Sequence, residues 1–292
     1  MATITRTEYF VNQVNSASLD DIPTICTSEL TYLRNALPAL STFKAWLSAY
    51  RGAVVDAVEN DEKIALVKKI LVLTMDEKTK LKTAYNNQLN QDHSALRAIY
   101  DVEQYIDISG KLLRSNAIHD VIAGLCALTG RRVSEIGVTG RFSLVDDMHI
   151  NFHGQLKTKN IDQETPEYVI PVLGDVDSII RAHDVVCSKY GRYRAKDLQN
   201  YQDIKTKAKQ FHNAVSKEIG QKVKKHYQGI LAPNSKGTLQ PKDLRSAYAI
   251  ICYDFFGHES TSMSKYFSMV LGHGETDVMT AQSYVDFFIK NT

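Results

Sequence analysis

Apolar residues at three- and four-residue steps are the feature that most constrains how this chain folds. In the first third of the chain they recur as Leu30, Leu33, Leu37, Leu40, Phe43, Trp46, Leu47 and Tyr50. This spacing places the side chains on one face of a helix, and that face must pack against other helices. Pro38 interrupts the pattern and predicts a break between two helices. The segment 1–110 is therefore predicted to form a helical N-terminal domain.

Strand signals interrupt the helical periodicity between positions 142 and 173. Residues 142–145 and 148–152 flank Asp146-Asp147, a combination that predicts a tight hairpin. Residues 168–173 predict a third strand, in which Pro171 is compatible only with an edge or a bulge. The whole pattern predicts a mainly α protein with a small antiparallel β-sheet, an α+β fold.

Helical periodicity returns after position 176 and continues to the end of the chain. Pro241 is well placed as the first residue of a helix. We expect a last helix that starts near Asp277, carries Tyr284, and packs through Val285, Phe287, Phe288 and Ile289. Ser109-Gly110 is the expected domain boundary. This divides the chain into a helical domain at 1–110 and a second domain at 111–292.

Composition limits the classes to which the protein can belong. Apolar residues make up 43% of the chain, which is enough for a buried core, yet no apolar run approaches the roughly 18 residues that span a bilayer. The N-terminus has no secretory signal. The four cysteines lie far apart and form no metal-binding pair. We therefore expect a cytoplasmic protein with no membrane partner, no metal site and no cofactor.

Charge is unevenly distributed along the chain. Residues 1–110 carry 11 basic and 14 acidic side chains, a net charge of −3, and residues 111–292 carry 24 and 19, a net charge of +5. Between Lys189 and Lys225 there are 11 basic residues and three acidic ones, with aromatic residues interleaved. This stretch favours a surface that follows a phosphate backbone. The alternative is an ordinary solvated helix face.

Six side chains between positions 132 and 284 suit chemistry at a phosphodiester: Arg132, Lys157, Lys242, Arg245, His273 and Tyr284. Guanidinium groups bind the non-bridging oxygens of a phosphate with two hydrogen bonds in a fixed geometry. We expect Arg132 and Arg245 to form such a clamp, each in the first turn of a helix, where backbone N–H groups also favour an anion. A phenol has a pKa near 10, so only a cationic pocket favours its anion as a nucleophile.

Two segments resemble motifs of the tyrosine recombinases. The first arginine motif is matched by Leu128-Thr-Gly-Arg-Arg132-Val-Ser-Glu135-Ile. The C-terminal motif is matched by Leu271-Gly-His273 followed by Thr280 and Tyr284. The resemblance covers residues 113–292 and implies a tyrosine-recombinase-like catalytic domain.

Within that superfamily the details are most similar to telomere resolvases (protelomerases), which turn replicated telomere junctions into covalently closed hairpin ends. Lys242 stands three positions before Arg245, where integrases usually carry a histidine. Lys157 follows Arg132 by 25 residues, within the string Gly154-Gln-Leu-Lys-Thr-Lys159. The separation between His273 and Tyr284 is longer than the one usual in integrases and resembles that of some resolvases.

The resemblance implies a role for each of these residues. Tyr284 attacks the phosphorus and forms a 3′-phosphotyrosyl link, and Arg132 and Arg245 hold the non-bridging oxygens. Lys157 protonates the departing 5′-oxygen. The phosphate pocket is completed by Lys242 and His273. Two protomers would act on double-stranded DNA with an inverted-repeat target, while the N-terminal domain and the catalytic domain clamp the duplex. Further DNA contacts are expected from Arg131, Lys159, Lys222, Lys224 and Lys225.

Several alternatives stay open from the residues alone. Lys159 competes with Lys157 as the acid, and Tyr266 competes with Tyr284, although Tyr266 lies in an apolar stripe that favours core packing. We expect Glu135 to orient its neighbours or to pair with an arginine. The runner-up function is a site-specific integrase or recombinase that exchanges strands between duplexes. A third hypothesis is a non-catalytic DNA-binding protein.

Overall fold

Two compact units, Met1–Asn90 and Gln91–Thr292, make up the chain. The computed structural model describes residues 5–94, 96–156, 167–257, 260–272 and 284–290. The division lies earlier than the boundary that we expected at Ser109-Gly110. Gly110 falls inside a helix of the second unit, Val102–Leu112, whose buried face packs on the core of that unit. A glycine in a sequence favours a break, but here the packing of its neighbours holds the helix together.

The described residues of the first unit form five helices, the last of which continues beyond its end: α1 (Arg6–Ser16), α2 (Ile22–Ala36), α3 (Leu40–Ala57), α4 (Asp61–Ile70) and α5 (Met75–Ser94). Thr5 and Glu8 form a capping box that fixes the start of α1. The predicted break at Pro38 is confirmed, because α2 ends before it and α3 begins after it. Phe10 and Leu47 are buried in the core of this unit.

The second unit contains six helices and five strands among its described residues: β1 (Arg97–Ile99), α6 (Val102–Leu112), α7 (Ile118–Thr129), β2 (Arg141–Asp146), β3 (His149–His153), β4 (Tyr168–Pro171), α8 (Val176–Lys189), α9 (Tyr201–Tyr227), α10 (Pro241–Phe256), α11 (Met263–Leu271) and β5 (Phe287–Ile289). A π-helical turn covers Glu135–Thr139, and a 3-10 turn covers Gly191–Tyr193. Within the described ranges, none of the helices combines the length and the apolar character needed to cross a bilayer.

Helix α7 lies at the centre of the second unit. Every residue from Asp120 to Thr129 is buried, and the helix packs against α6, α8, α9 and α10. A helix that is apolar on all sides has to be enclosed in this way. As a result, the polypeptide that follows α7 emerges in the interior of the unit, where polar side chains are shielded from water.

The sheet β2-β3-β4 is antiparallel, with Phe142 opposite Phe152 and Ile150 opposite Ile170. Ile150 and Phe152 alternate inward from β3 and are fully buried. Pro171 lies at the end of β4, an edge strand, as its missing N–H requires. The predicted fold class, mainly α with a small antiparallel sheet, is confirmed.

The end of the chain differs from our expectation. Residues 287–289 form β5, which pairs in parallel with β1 in a separate two-stranded sheet, instead of continuing a final helix. A short apolar run is compatible with a helix or a strand by its periodicity alone. The edge of β1, which is distant in the sequence, decides in favour of the strand.

Candidate active site

Arg132 lies directly beyond the central helix. α7 ends at Gly130, whose left-handed φ of 64° and close contact with the ring of Tyr248 leave no room for a side chain. The N–H and Nη1 of Arg132 then donate to the carboxylate of Glu135 at 2.9 and 2.6 Å. Its Nη2 donates to Oη of Tyr284 at 3.3 Å. The guanidinium thus connects a carboxylate to the proposed nucleophile.

Glu135 is the fully buried anion of the site. Its carboxylate also accepts from the N–H of Leu156 at 3.2 Å and lies 4.0 Å from Nη1 of Arg245. Burial by itself raises the pKa of this carboxyl, but the positive charges of Arg132, Arg245 and Arg131 outweigh it and lower the pKa to about 2. Glu135 is therefore ionised at neutral pH and holds the guanidiniums around it, in agreement with the expected pairing to an arginine.

Arg245 projects from α10 into the same interior. It lies in the second turn of the helix, one turn beyond the expected position, and only 3% of it is exposed. It donates to the carbonyl of Gly130 and, at 2.7 Å, to that of Leu271. Its Nε is buried with no hydrogen-bond partner among the described residues. The Nε–H of Arg245 is therefore available to bind an anion.

Tyr284 completes the cluster. The Cζ of Arg245 lies 5.2 Å from the centroid of its ring, a cation–π contact. Burial raises the pKa of the Tyr284 phenol. The charges of Arg245 and Arg132, and the hydrogen bonds from these residues, lower the pKa by a larger amount, so the net shift is downward. The site thus makes the phenolate, the form that attacks an electrophile, easier to form than at an isolated tyrosine.

Both arginines stay protonated at neutral pH. Burial lowers the pKa of Arg245 to about 10, with a further contribution from Arg132 and Arg131. The pKa of Arg132 is raised, because Glu135 and Tyr284 outweigh the effect of burial. The site therefore holds two fixed cations beside one phenol.

Of the two lysines predicted to lie at the active site, Lys157 and Lys242, the structure describes Lys242. Lys242 is exposed in the first turn of α10, one turn before Arg245. Lys157, Lys159 and His273 lie outside the described residues.

Leu156 precedes Lys157 and Gly272 precedes His273, and the backbone carbonyls of both accept hydrogen bonds. The carbonyl of Leu156 faces Nη1 of Arg132 at 3.5 Å. The carbonyl of Gly272 accepts from Nε2 of Gln155. Leu156 therefore lies beside Arg132, and Gly272 lies beside Gln155.

Arg131 is not available to DNA, contrary to our expectation. It is 1% exposed and donates to the carbonyls of Thr129 and Val270 and, at 2.6 Å, to Oη of Tyr168. Its Cζ lies 4.8 Å from the ring centroid of Phe152. Arg131 holds the ends of α7 and α11 and the start of β4 together.

Gln155 and Tyr168 also belong to the site, although no sequence motif indicates them. Oη of Tyr168 donates to Oε1 of Gln155, which in turn binds Gly272. These contacts join β4 and the residues after β3 to the end of α11. A single glutamine outside any motif, and one tyrosine among 15, give no indication in the sequence that they belong to a site.

The basic helix α9 presents its lysines selectively. Lys224 and Lys225 lie in the last turn and are both exposed, whereas Lys222 pairs with Asp120 at 3.1 Å. Among the interleaved aromatic residues, Phe211 and Tyr227 are fully buried. The aromatic part of the pattern therefore belongs mostly to the core, and only the lysines suit a phosphate surface.

Known structures share this fold. A selenomethionine form of protelomerase TelA covalently complexed with substrate DNA has a TM-score of 0.82 and 19% identity, covering 99% of this chain and 90% of that chain. An arginine-to-alanine mutant of TelA complexed with DNA hairpin product has a TM-score of 0.82 and 18% identity, with coverage of 99% and 90%. Protelomerase TelK complexed with substrate DNA has a TM-score of 0.61 and 18% identity, covering 99% of this chain and 60% of that chain.

No curated protein sequence matches the chain. A family model does, the telomere resolvase ResT/TelK catalytic domain, and it matches residues 96–287. The matched range holds β1, Arg132, Arg245 and Tyr284. The resemblance that the motifs predicted is thereby confirmed, and the chain belongs to the telomere resolvase family of ResT and TelK.

Proposed function

We propose that this telomere resolvase breaks DNA strands by attack of Tyr284 on a phosphodiester and rejoins them as covalently closed hairpin ends. The observation that carries the proposal is the placement of the phenol. Its Oη lies 3.3 Å from Nη2 of Arg132, and its ring lies 5.2 Å from Cζ of Arg245. A cationic pocket of this kind binds a phosphate and favours the phenolate in one place.

The proposed cleavage balances without an external energy source. The phenolate oxygen of Tyr284 bonds to phosphorus while the bond from phosphorus to the 5′-oxygen of the next nucleotide breaks. The departing 5′-oxygen takes a proton, for which Lys157 is the candidate donor and Lys159 the alternative. In the return step a 5′-hydroxyl loses its proton, attacks the 3′-phosphotyrosyl link and releases Tyr284. The covalent intermediate conserves the bond energy, so rejoining needs no ATP.

Arg132 and Arg245 are the proposed clamp on the non-bridging oxygens. Negative charge grows on these oxygens in the transition state, and losing one preorganised donor typically costs roughly 10²–10³ in rate. The Nε of Arg245, which lacks a partner among the described residues, suits this role. Lys242 and His273 are proposed to complete the phosphate pocket.

The nucleophile is tested with Tyr284→Phe. The probe is a plasmid that carries the inverted-repeat telomere junction of the replicon encoding the chain. Wild type is expected to form a covalent protein–DNA adduct, visible by denaturing electrophoresis, and Tyr284→Phe is expected to bind the DNA without forming it. Tyr266→Phe is the matched control, since it removes another phenol that donates to a backbone carbonyl at 3.0 Å. An adduct that persists in Tyr284→Phe would overturn the assignment.

The same plasmid separates hairpin formation from the alternatives. Linear products whose ends snap back after denaturation support a resolvase. Recombinant circles or deletions would support a recombinase that exchanges strands. If wild type formed no adduct with this junction, the remaining interpretation would be a DNA-binding protein without catalysis.

We further propose that double-stranded DNA is the partner and that two protomers act together, one on each strand of an inverted repeat. Complexes of TelA and TelK with DNA support the first point. The first unit is proposed to help clamp the duplex. Native mass spectrometry of the complex with a duplex of the junction is expected to show two chains per site.

A further inference from the structure

The backbone just beyond the nucleophile is held by strand pairing. β5 starts three positions after Tyr284 and lies in parallel with β1, with Phe287 opposite Arg97. The N–H of Arg97 donates to the carbonyl of Asp286 at 2.9 Å, and the N–H of Lys290 donates to that of Ile99 at 3.0 Å. Both strands are very short, so few hydrogen bonds define the position of the segment.

The side chain of Asp286, two positions after Tyr284, also holds this segment in place. Its Oδ2 accepts from Oγ of Ser246 at 2.9 Å and lies 3.7 Å from Nη2 of Arg97. Ser246 is 1% exposed and follows Arg245 directly in α10. The residue next to the clamp arginine therefore holds the segment that carries the nucleophile.

Arg97 extends the tether to the start of α10. Its Nη2 also donates to Oδ1 of Asp243 at 2.8 Å, and Oδ2 of Asp243 accepts from the N–H of Gln240 at 2.7 Å. Asp243 is fully buried and caps the helix. Together, Asp286, Ser246, Arg97 and Asp243 form one connected network, which we call the α10–β5 tether.

We propose that Asp286, acting through Ser246 and Arg97, is a positioning residue that holds the phenol of Tyr284 against Arg245 and Arg132 before attack. The inference rests on the proposed function of Tyr284. Asp286 itself touches neither the phosphate nor the phenol in this proposal. Its effect is geometric, and a displacement of about 1 Å in a reacting group costs up to about 10²-fold in rate.

The pH dependence of cleavage distinguishes this role from a direct electrostatic one. The charged groups that face the phenol in the described structure are Arg245 on α10 and Arg132 before the π-helical turn, with Glu135 behind them. If the tether is lost and the phenol moves away from the arginines, its pKa rises toward the ordinary value. If the carboxylate of Asp286 acted directly on the phenol, its removal would lower that pKa instead.

The test compares Asp286→Ala, Ser246→Ala and Asp286→Asn on a duplex of the telomere junction. For the two alanine variants we expect adduct formation to slow by about ten- to a hundredfold and the pH of half-maximal rate to move upward, while DNA affinity is retained. Asp286→Asn keeps an oxygen that can accept from Ser246, so it is expected to recover most of the rate.

Ser109→Ala is the matched control for Ser246→Ala. Ser109 is also fully buried, donates to the carbonyl of Tyr105 at 2.6 Å and contacts Oη of Tyr227 at 2.9 Å, in a part of the core that the tether does not use. We expect it to lower Tm without changing the rate or its pH profile.

Two results would overturn the inference separately from the proposed function. One is wild-type rate and pH profile in Asp286→Ala, measured where Tyr284→Phe forms no adduct. The other is a downward shift of the pH profile, which would indicate direct electrostatics. Failure of wild type to form any adduct would overturn both proposals together. Asp286→Ala, at a partly exposed position, remains informative if Ser246→Ala does not fold.

Discussion

At the scale of single residues, neighbouring arginines in this chain have opposite environments. Arg131 donates to backbone carbonyls and to a phenol within the core, whereas Arg132 faces Glu135 and Tyr284. A π-helical turn, Glu135–Thr139, follows Arg132. It begins with Glu135, whose carboxylate faces Arg132 and Arg245. Two adjacent arginines thus differ in their contacts: Arg131 is bound within the core, and Arg132 contacts Tyr284.

The two arginines should separate in a mutational comparison. Arg131→Ala removes charge-assisted hydrogen bonds, which contribute about 1.5–3 kcal/mol each, and is expected to lower the free energy of unfolding. Arg132→Ala is expected to slow adduct formation by roughly 10²–10³ with a smaller loss of stability. Urea unfolding and adduct assays on both variants check this. Equal effects of the two substitutions on the rate would contradict it.

Glu135 predicts a dependence of stability on pH. Its pKa in the folded protein is about 2, against an ordinary value of 4.5, because three arginines outweigh the effect of burial. A carboxyl with a depressed pKa stabilises the fold above its unfolded pKa, and that contribution is lost as the pH falls through the folded value. The shift corresponds to on the order of 3 kcal/mol.

Urea unfolding of wild type and Glu135→Gln measures this contribution. The advantage of wild type is expected to be largest above pH 4.5 and to shrink as the pH approaches 2. Because all other carboxyl groups are common to both proteins, the difference isolates Glu135. A difference that stayed constant over this range would show that its ionisation does not matter for stability.

At the scale of elements, α9 illustrates how one helix serves two purposes. Its buried stripe includes Phe211, Ile219 and Tyr227. Most lysines on its other faces are exposed to water, whereas Lys207 pairs with Asp203 and Lys222 pairs with Asp120. The helix therefore anchors the second unit and presents cations to the outside.

The lysines of α9 should differ in their effect on DNA binding. Each lysine that contacts a phosphate contributes about 0.9 to the slope of log affinity against log salt concentration. Lys224→Gln and Lys225→Gln are expected to flatten that slope. Lys222→Gln is the matched control in the same turn, expected to affect the slope less and Tm more. An unchanged slope in the double variant of Lys224 and Lys225 would place this end of α9 away from the DNA.

At the scale of the whole molecule, each unit has its own hydrophobic core. Leu47 belongs to the core of the first unit and Leu125 to that of the second, and both are almost completely buried. Each core closes around its own helices, so each unit is expected to open as a cooperative body of its own.

Hydrogen exchange provides the measurement. Leu47→Ala and Leu125→Ala each remove a buried side chain at a cost of about 2–5 kcal/mol. Leu47→Ala is expected to speed exchange within the first unit and leave the protected amides of α7 unchanged. Leu125→Ala is expected to do the reverse. Loss of protection across both units in either variant would show that they unfold together.

Much of this protein is determined by local patterns in its sequence. Apolar spacing indicates helices on either side of the strands, the turn at Asp146-Asp147 indicates the hairpin, and the motifs around Arg132 and Tyr284 indicate the family. These signals are readable because each depends on residues close together in the chain, where periodicity and turn chemistry act.

Other features were decided only by tertiary structure. The strand conformation of residues 287–289 depends on the edge of β1, which belongs to a much earlier part of the chain. The burial of Arg131 and the contacts of Gln155 and Tyr168 depend on where α11 ends. The hydrogen bond between Asp286 and Ser246 of α10 likewise joins two segments that are far apart in the sequence. A hydrogen bond between distant segments has no periodicity in the sequence, and it exists only after the core has brought those segments together.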